Sequence, residues 1–371
     1  MNELRMQDNK AYSRQKHRVA ILSIILSPAI LAIFVVSGVS LHVKNLASTA
    51  SSNNYINLLG FYALIGFLYY AITVPLAYYS GFVLEHKFGL SNQRFKGWAN
   101  REIKKSFISF IFGIPVVLAM YFFLKNWPLY WWFLTAVSCY FLSIFTAKFF
   151  PVLIVPLFYK YSPIKDSILK DKLIKLSQKA GFKVESVYEI NISKDTNKAN
   201  AALMGLGRQK RIVLCDTLLK NFSHEEIESV MAHELGHHSL RHILKLIISG
   251  GVSTAAAFFI ANILLLRLHN ILGYTRLYDF ESLVLIFAVI SFLNIFVMPL
   301  QNAFSRRLEH KADSFALEIT DNKQAFIETM KKLASQNLAD PNPSKFYEIM
   351  LYNHPPISRR ISFAESFRPE K

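Results

Sequence analysis

The stretch MAHELGHHSLRHILKLIISGGVSTAAAFFIANILLL, residues Met231–Leu266, joins a cluster of ionisable side chains to a long apolar run. The run Leu246–Leu266 contains no charged residue, and about 17–25 predominantly apolar residues suffice for a helix that spans a bilayer. The junction therefore predicts polar chemistry that takes place at the edge of a membrane.

Further uncharged runs of similar length occur in this chain of 371 residues, which is 52% hydrophobic and only 18% charged. Buried helices of a soluble core would not all be apolar on every face at this length. We therefore expect about six membrane spans. The first is expected to be retained, because its apolar run exceeds the roughly 7–15 residues of a cleaved signal peptide. Besides Leu246–Leu266, the uncharged runs are Val19–Leu41, which is the first span, and Ile56–Leu84, Phe107–Leu124, Leu129–Ala147 and Leu283–Leu300.

The distribution of Lys and Arg predicts the orientation of these spans. Five basic residues precede the first span, one lies in the next loop and six lie between the second and third spans. Basic loops stay on the cytoplasmic side, so both termini and both long polar segments are expected there. Basic loops facing an anionic leaflet also account for the net charge of +17. Nucleic acid is not expected as a partner, because the basic residues are scattered between spans and not gathered on one face.

These patterns predict a mostly α-helical, multi-pass membrane protein with a cytosolic α+β domain made of two polar segments. The membrane is expected to be a bacterial inner membrane, or the endoplasmic reticulum membrane in a eukaryote. Cys139 and Cys215 are expected to be unpaired packing residues, because a reducing cytoplasm does not favour disulfides. The predicted divisions are residues 1–158 with four spans, 159–245 with the first polar segment, 246–300 with two spans, and 301–371 with the second polar segment.

The first polar segment shows local signals for helices and strands. Residues 167–182 have helical apolar spacing, residues 184–192 alternate like a strand, and residues 200–216 are typical of a β-hairpin with glycines at its bend. Ser223 with Glu226 three positions later is a capping box that starts a helix. This helix is expected to continue into the fifth span, with a local kink at Gly250–Gly251.

The helix that begins at Ser223 carries His233-Glu234-Leu235-Gly236-His237, an H-E-x-x-H pattern. Residues four apart lie one above the other on a helix, so both imidazoles can reach one metal ion while Glu234 lies beside them. Taken alone, so short a pattern also fits solvated histidines on a basic helix. The neighbouring His238, His242 and His310 are expected to lie on other helix faces, as solvated or membrane-surface residues.

A candidate for the third metal ligand lies in the stretch SRRLEHKADSFAL of the second polar segment. Glu309 can bind the ion, and Asp313, four residues later, can accept the free N–H of a ligand histidine. Glu309 and His237 each lie nine residues from a predicted span on the cytoplasmic side, so continued helices would bring both to about 14 Å from the membrane. Two histidines and one carboxylate indicate one catalytic zinc ion per chain with an open position for water. Glu234 is the predicted base, and the predicted reaction is hydrolysis of a peptide bond.

The stretches HELGHH, SRRLEHKADSFAL, NAALMGLGRQKRIVLCDTLL and HPPISRRI resemble the integral-membrane zinc proteases typified by CaaX prenyl protease 1, with bacterial HtpX a more distant relative. The resemblance covers about residues 60–365. It implies a helical membrane chamber capped by a cytosolic gluzincin-type zinc metalloprotease domain. It gives the same roles to His233, His237, Glu309, Glu234 and Asp313 as the spacing does.

The resemblance also implies roles for residues that the spacing leaves unassigned. Asn200 and Ala201 match an edge strand that pairs with the substrate backbone, while His354 and Arg360 match a motif expected to stabilise the oxyanion and the active-site wall. The family usually has an aromatic residue where this chain has Ala202, and a His near Lys198, so this chain departs from the family pattern at these two positions. Three alternatives stay open, namely a turn role for Asn200, a loop role for His354 and an ordinary ion pair for Arg360.

Three functions are compatible with these features. The first is a zinc metalloendopeptidase that cuts CaaX-type, peptide or membrane-protein substrates at the cytosolic membrane face, with membrane-protein quality control as an alternative task. The second is a transporter or channel, which would place ionisable groups inside its spans, and the six runs contain none. The third is a catalytically silent scaffold, which leaves Glu234 beside intact ligands unexplained.

Overall fold

Long apolar helices make up the membrane part of this computed structural model, which describes residues 3–204 and 210–368. Within those ranges, six helices are long and apolar enough to cross a membrane, as predicted. The second of these spans begins with helix α3, Asn54–Tyr78, and continues through a π-helical turn, Tyr79–Val83, into α4, Leu84–Lys87. The long helices are α1 (Glu3–Val36), α3 (Asn54–Tyr78), α5 (Phe95–Asn126), α6 (Trp131–Phe149), α10 (His242–Leu268) and α11 (Phe280–Thr320).

The first span differs from its predicted bounds at its C-terminal end. Helix α1 ends at Val36, and a short helix α2, Val39–Ser48, follows it. Gly38 between them has φ +77, a left-handed conformation that glycine adopts without steric cost and that ends a helix. Residues 39–41, which we assigned to the span, therefore belong to α2.

The spans pack against one another through a shared apolar cluster. It includes Phe34 of α1, Leu58 of α3, Met120 of α5, Phe258 of α10 and Ile286 of α11, each at most 5% exposed. Many other apolar side chains of the spans face outward and are exposed. Such side chains are stable where lipid and not water surrounds the helices.

The two polar segments fold together around one sheet and a second apolar cluster. The described residues form a four-stranded sheet in the order β1-β2-β4-β3, in which β2 and β4 are parallel and the other neighbours are antiparallel. The predicted hairpin is confirmed as β3 and β4, and its bend with Gly205 and Gly207 lies outside the described residues. The strands are β1 (Tyr161–Pro163), β2 (Val184–Ile190), β3 (Ala201–Met204) and β4 (Lys210–Cys215).

Helices from both polar segments cover this sheet, and their apolar side chains form one cluster that runs from Leu169 to Ala364. The predicted helix after residue 167 is confirmed, and Asp166 caps it by accepting from Leu169 N. Cys139 and Cys215 are both free, as predicted. The helices are α7 (Ser167–Lys179), α8 (Asp216–Asn221), α9 (His224–Ser239), α12 (Lys323–Gln336), α13 (Lys345–Leu351) and α14 (Ile357–Ser366).

The prediction that the H-E-x-x-H helix continues into the fifth span is wrong. Helix α9 ends at Ser239, Arg241 has φ +53, and α10 starts afresh at His242. The chain turns here because α9 packs in the domain core while α10 packs against α6 and α11. Gly250–Gly251 lie inside α10, where a Cβ at Gly251 would meet the Tyr140 ring at 2.6 Å. Gly251 therefore permits close packing of Tyr140 against α10, and neither glycine breaks the helix.

The polar start of α1 precedes the apolar run of that helix and contacts the sheet domain. Asn9 donates to Ala334 O at 3.1 Å, which ties the helix to α12. Farther along, Glu85 of α4 is 8% exposed and pairs with Lys16 at 2.6 Å and with Lys198 at 2.8 Å. The basic N-terminal segment and the sheet domain therefore lie on the same side of the spans.

Candidate metal centre

Helix α9 presents the two histidines of the H-E-x-x-H pattern. The predicted capping box is confirmed, because Ser223 Oγ accepts from Glu226 N and Glu226 Oε2 accepts from Ser223 N at 2.7 Å. Four residues apart on this helix, His233 and His237 bring their Nε2 atoms within 3.1 Å of each other. The local sequence alone is therefore enough to aim both imidazoles at one point.

The third side chain comes from α11, which runs without a break from the membrane to the site. Glu309 Oε2 lies 3.1 Å from His233 Nε2, and Oε1 lies 3.2 Å from His237 Nε2. One ligand atom from each of the three residues lies within 4.8 Å of the others. Two imidazole nitrogens and one carboxylate at this spacing fit a zinc ion, which accepts both donor types.

Gly236 decides how closely α11 approaches α9. A Cβ at this position would meet Ala312 Cα at 3.2 Å and Phe315 Cδ1 at 3.1 Å, which is closer than the optimum of about 3.5–4.0 Å between carbon atoms. Glycine therefore lets the backbone of α11 pack directly on α9. This close packing places Glu309 next to both histidines.

Behind the ligands, a buried ion pair supports His233. Asp313 Oδ1 lies 2.8 Å from His233 Nδ1, in the position expected for an acceptor of its N–H. Arg360 donates to both carboxylate oxygens of Asp313, at 2.8 Å from Nε and 2.5 Å from Nη2, and is itself only 8% exposed. Arg360 therefore lies behind Asp313, where it can hold that carboxylate in place. Burial lowers the pKa of Arg360, but the charge of Asp313 outweighs this effect and raises it.

Burial and hydrogen bonding change the ionisation of the helix α9 residues. Burial raises the pKa of the Glu234 carboxyl, although the nearby histidines lower it in part. Burial lowers the pKa of His233, but its contacts with Asp313 and Glu309 outweigh burial and raise that pKa to about 9. Without a metal ion, the ligand cluster therefore holds a proton at neutral pH.

His354 lies on the exposed side of the ligand cluster. Its Nδ1 is 2.6 Å from Glu309 Oε2, and half of the side chain is exposed. Pro355 and Pro356 follow it before α14 begins at Ile357. His354 thus lies in a loop, as the alternative held, but the structure brings it next to Glu309, and its role towards the oxyanion stays a prediction.

The histidines that we expected to be solvated have unequal surroundings. His310 is exposed and its ring lies against Phe363, and His238 is part-buried with Nε2 3.2 Å from Leu203 O. For His242 the expectation is wrong, because it is 0% exposed and its Nδ1 lies 3.0 Å from His237 Nδ1. Helical periodicity did not indicate this contact, since it depends on the break between α9 and α10.

Asn200 and Ala201 lie at the open edge of the sheet. Cys215 N donates to Asn200 O, and since main-chain groups alternate in an antiparallel pair, those of Ala201 and Leu203 point away from β4. Asn200 Oδ1 accepts from Ala201 N at 2.9 Å, and His238 contacts Leu203 O. The edge strand β3 therefore lies beside the helix that carries the histidine ligands.

Comparisons with known proteins give two family models and many relatives. Residues 163–368 match the model of peptidase family M48, and residues 1–160 match a model described as CAAX prenyl protease N-terminal, five membrane helices. The described part of residues 1–160 contains four long helices and the short α2.

Individual relatives cover most of the chain. The uncharacterized metalloprotease YhfN of Bacillus subtilis is 31% identical over 95% of this chain and 84% of its own length. CAAX prenyl protease 1 of Saccharomyces cerevisiae is 30% identical over 81% of this chain and 70% of its own length. The crystal structure of S. mikatae Ste24p superposes with a TM-score of 0.85 at 27% identity, covering 98% of this chain and 89% of that one.

Proposed function

Because this chain belongs to peptidase family M48, it is a multi-pass membrane metalloprotease, and we propose that it cuts peptide bonds beside the membrane with one zinc ion. The observation that carries the proposal is the convergence of His233, His237 and Glu309 within 4.8 Å. Glu234 follows His233 directly on the same helix. This combination of a three-ligand set and an adjacent carboxylate is what metal-assisted peptide hydrolysis requires.

His233, His237 and Glu309 would hold the zinc ion and leave one position open. When bound, zinc supplies a Lewis acid that lowers the pKa of a water and polarises the carbonyl under attack. Asp313 accepts the Nδ1–H of His233, and Arg360 fixes the Asp313 carboxylate through its two donors. These contacts set which nitrogen of His233 faces the metal.

Glu234 is the residue we assign to proton transfer. Its carboxylate takes a proton from the attacking water and later delivers it to the leaving amine, as a general base and then a general acid. Burial raises the pKa of this carboxyl, which makes Glu234 a stronger base for the water proton. His354 is the candidate donor to the oxygen of the former carbonyl, since it is half-exposed next to Glu309.

The substrate is proposed to bind as an extended strand along β3. The main-chain groups of Ala201 point away from β4, and an added strand would gain hydrogen bonds there in place of the present contact with Asn200 Oδ1, while its scissile bond would lie near α9. Several relatives are named CAAX prenyl proteases, which supports a CaaX-type chain end as the substrate. Quality control of membrane proteins remains the second candidate task.

The catalytic domain is proposed to lie on the cytosolic side. The N-terminal segment of α1 is basic and packs on that domain, and basic segments stay in the cytoplasm. Reporters inserted in the loops at residues 49–53 and 269–274 are expected to read as external, and reporters at either terminus as cytoplasmic. An external terminus would contradict the proposed side.

Hydrolysis is tested by a matched set of variants in purified, detergent-solubilised protein. Glu234→Gln should keep zinc but lose about 10²–10⁴ of the activity on a fluorogenic peptide, whereas His233→Ala, His237→Ala and Glu309→Ala should also lose zinc. His310→Gln, on an exposed neighbour of Glu309, is the control and should retain both. A Glu234→Gln enzyme with normal turnover would show that the base is assigned wrongly, and full zinc in all three ligand variants would refute the site. Proteins trapped by Glu234→Gln in cells identify the substrate class.

A further inference from the structure

His242 occupies a position that its sequence neighbours do not predict. It starts α10, is 0% exposed, and its Nδ1 lies 3.0 Å from Nδ1 of the ligand His237. The ring centroids are 5.1 Å apart, with the ring planes at 74°. The two imidazoles therefore meet at one nitrogen each, with their ring planes nearly perpendicular.

This contact exists only because the helix breaks between the two residues. Five residues along an unbroken helix correspond to a rotation of about 140° beyond one full turn, so His242 would point away from His237. Arg241 instead has φ +53 and ψ 38, a conformation that residues other than glycine rarely adopt. A strained backbone residue thus turns the chain so that His242 faces the ligand.

The geometry also sets the hydrogen positions. Since Nε2 of His237 faces Glu309 and His233, this nitrogen would hold the metal, which would leave the hydrogen on Nδ1. That N–H needs an acceptor, and Nδ1 of His242 is in reach. The hydrogen of His242 is then on Nε2, a buried atom with no hydrogen-bond partner among the described residues.

A buried imidazole nitrogen is costly to leave without a partner, and the Nδ1 of His237 is the partner that the structure gives to the Nδ1 of His242. We propose that His242 is a positioning residue for the metal site, whose Nδ1 accepts the Nδ1–H of His237 and thereby fixes the ring and its tautomer. It serves His237 as Asp313 serves His233, but as a neutral acceptor without added negative charge. The inference rests on the proposed zinc function.

Two substitutions at His242 separate this role from packing. His242→Phe keeps a ring of similar size but removes the acceptor, and His242→Gln retains an acceptor oxygen. Zinc affinity is measured by chelator competition, and the geometry of the ligand set by the visible spectrum of the cobalt-loaded protein. His242→Phe should weaken zinc binding about 10–100-fold and shift the cobalt bands, and His242→Gln should recover most of the affinity and the bands. Thermal unfolding of the zinc-free proteins should be similar.

A second pair tests the same idea without touching the imidazole. Arg241→Gly keeps the left-handed backbone and should bind zinc normally, whereas Arg241→Val disfavours φ +53 and should weaken zinc although His242 is intact. His310→Phe, an exposed histidine on α11, is the control that should change nothing. If His242→Phe does not fold, the two Arg241 variants test the role of His242 by themselves.

Three outcomes would overturn the inference. The zinc affinity and the cobalt spectrum of His242→Phe could equal those of the unchanged protein. His242→Phe and His242→Gln could lose the same amount of zinc affinity, which would mean a packing role. Arg241→Val could bind zinc as well as Arg241→Gly. If the unchanged protein binds zinc, each of these results removes only the role of His242; if it does not, the proposed function fails as well.

Discussion

Replacing Gly236 by Ala should damage the metal site through one added methyl group. The new Cβ would lie 3.2 Å from Ala312 Cα and 3.1 Å from Phe315 Cδ1. The Phe315 ring can rotate, but Ala312 Cα is part of the α11 backbone, so the two helices must separate. Carbon atoms pack best at about 3.5–4.0 Å, which makes the required shift about 0.5 Å.

The expected magnitude follows from this shift. Overpacking costs about 1–3 kcal/mol, and Ala stabilises a helix interior over Gly by about 0.8–1.0 kcal/mol, so the net loss of stability should be about 0–2 kcal/mol. Glu309 lies one helical turn before Ala312 and should move away from the histidines by a similar distance. Since a misplacement of about 1 Å can cost about 10²-fold in rate, half of that should cost about tenfold.

The assay compares Gly236→Ala with Gly250→Ala. A Cβ at Gly250 in α10 meets nothing within 4 Å, so the same substitution there should leave zinc affinity and turnover unchanged. Zinc affinity by chelator competition and peptide turnover should both fall for Gly236→Ala while the unfolding temperature changes little. Equal zinc affinity and turnover in the two variants would refute the argument that Gly236 sets the distance between α9 and α11.

Other residues of the site give independent predictions. His354→Ala should keep zinc and lose about 10²–10³ in kcat with little change in KM, and a raised KM at constant kcat would instead indicate substrate binding. Because the pKa of His233 is about 9 without metal, zinc must displace a proton from this residue below that pH. The zinc affinity should therefore fall up to about tenfold per pH unit as the pH drops from 9 towards 6.5. An affinity that does not change with pH in competition titrations would contradict this. Arg360→Met leaves Asp313 buried without its guanidinium and should cost about 3–5 kcal/mol of stability, measured by denaturant unfolding.

The membrane spans and the pairing of His233 with His237 follow from the sequence because they depend on local rules. Uncharged runs of sufficient length predicted the six long helices. Spacing of four residues placed His233 above His237 and Glu309 near Asp313, since helical periodicity needs no knowledge of the rest of the fold. The capping box at Ser223 and Glu226 is equally local, and it formed where it was predicted.

The tertiary structure alone decided features that depend on contacts between distant segments. Arg360 lies behind Asp313 because α14 packs against the end of α11, although the two residues are 47 positions apart along the chain. The helix breaks at Arg241, and not at Gly250–Gly251, because α9 must pack in the sheet domain while α10 packs among the spans. Leu240 and Arg241 carry no local signal for a break, so only the competition between these two packing surfaces places His242 against His237.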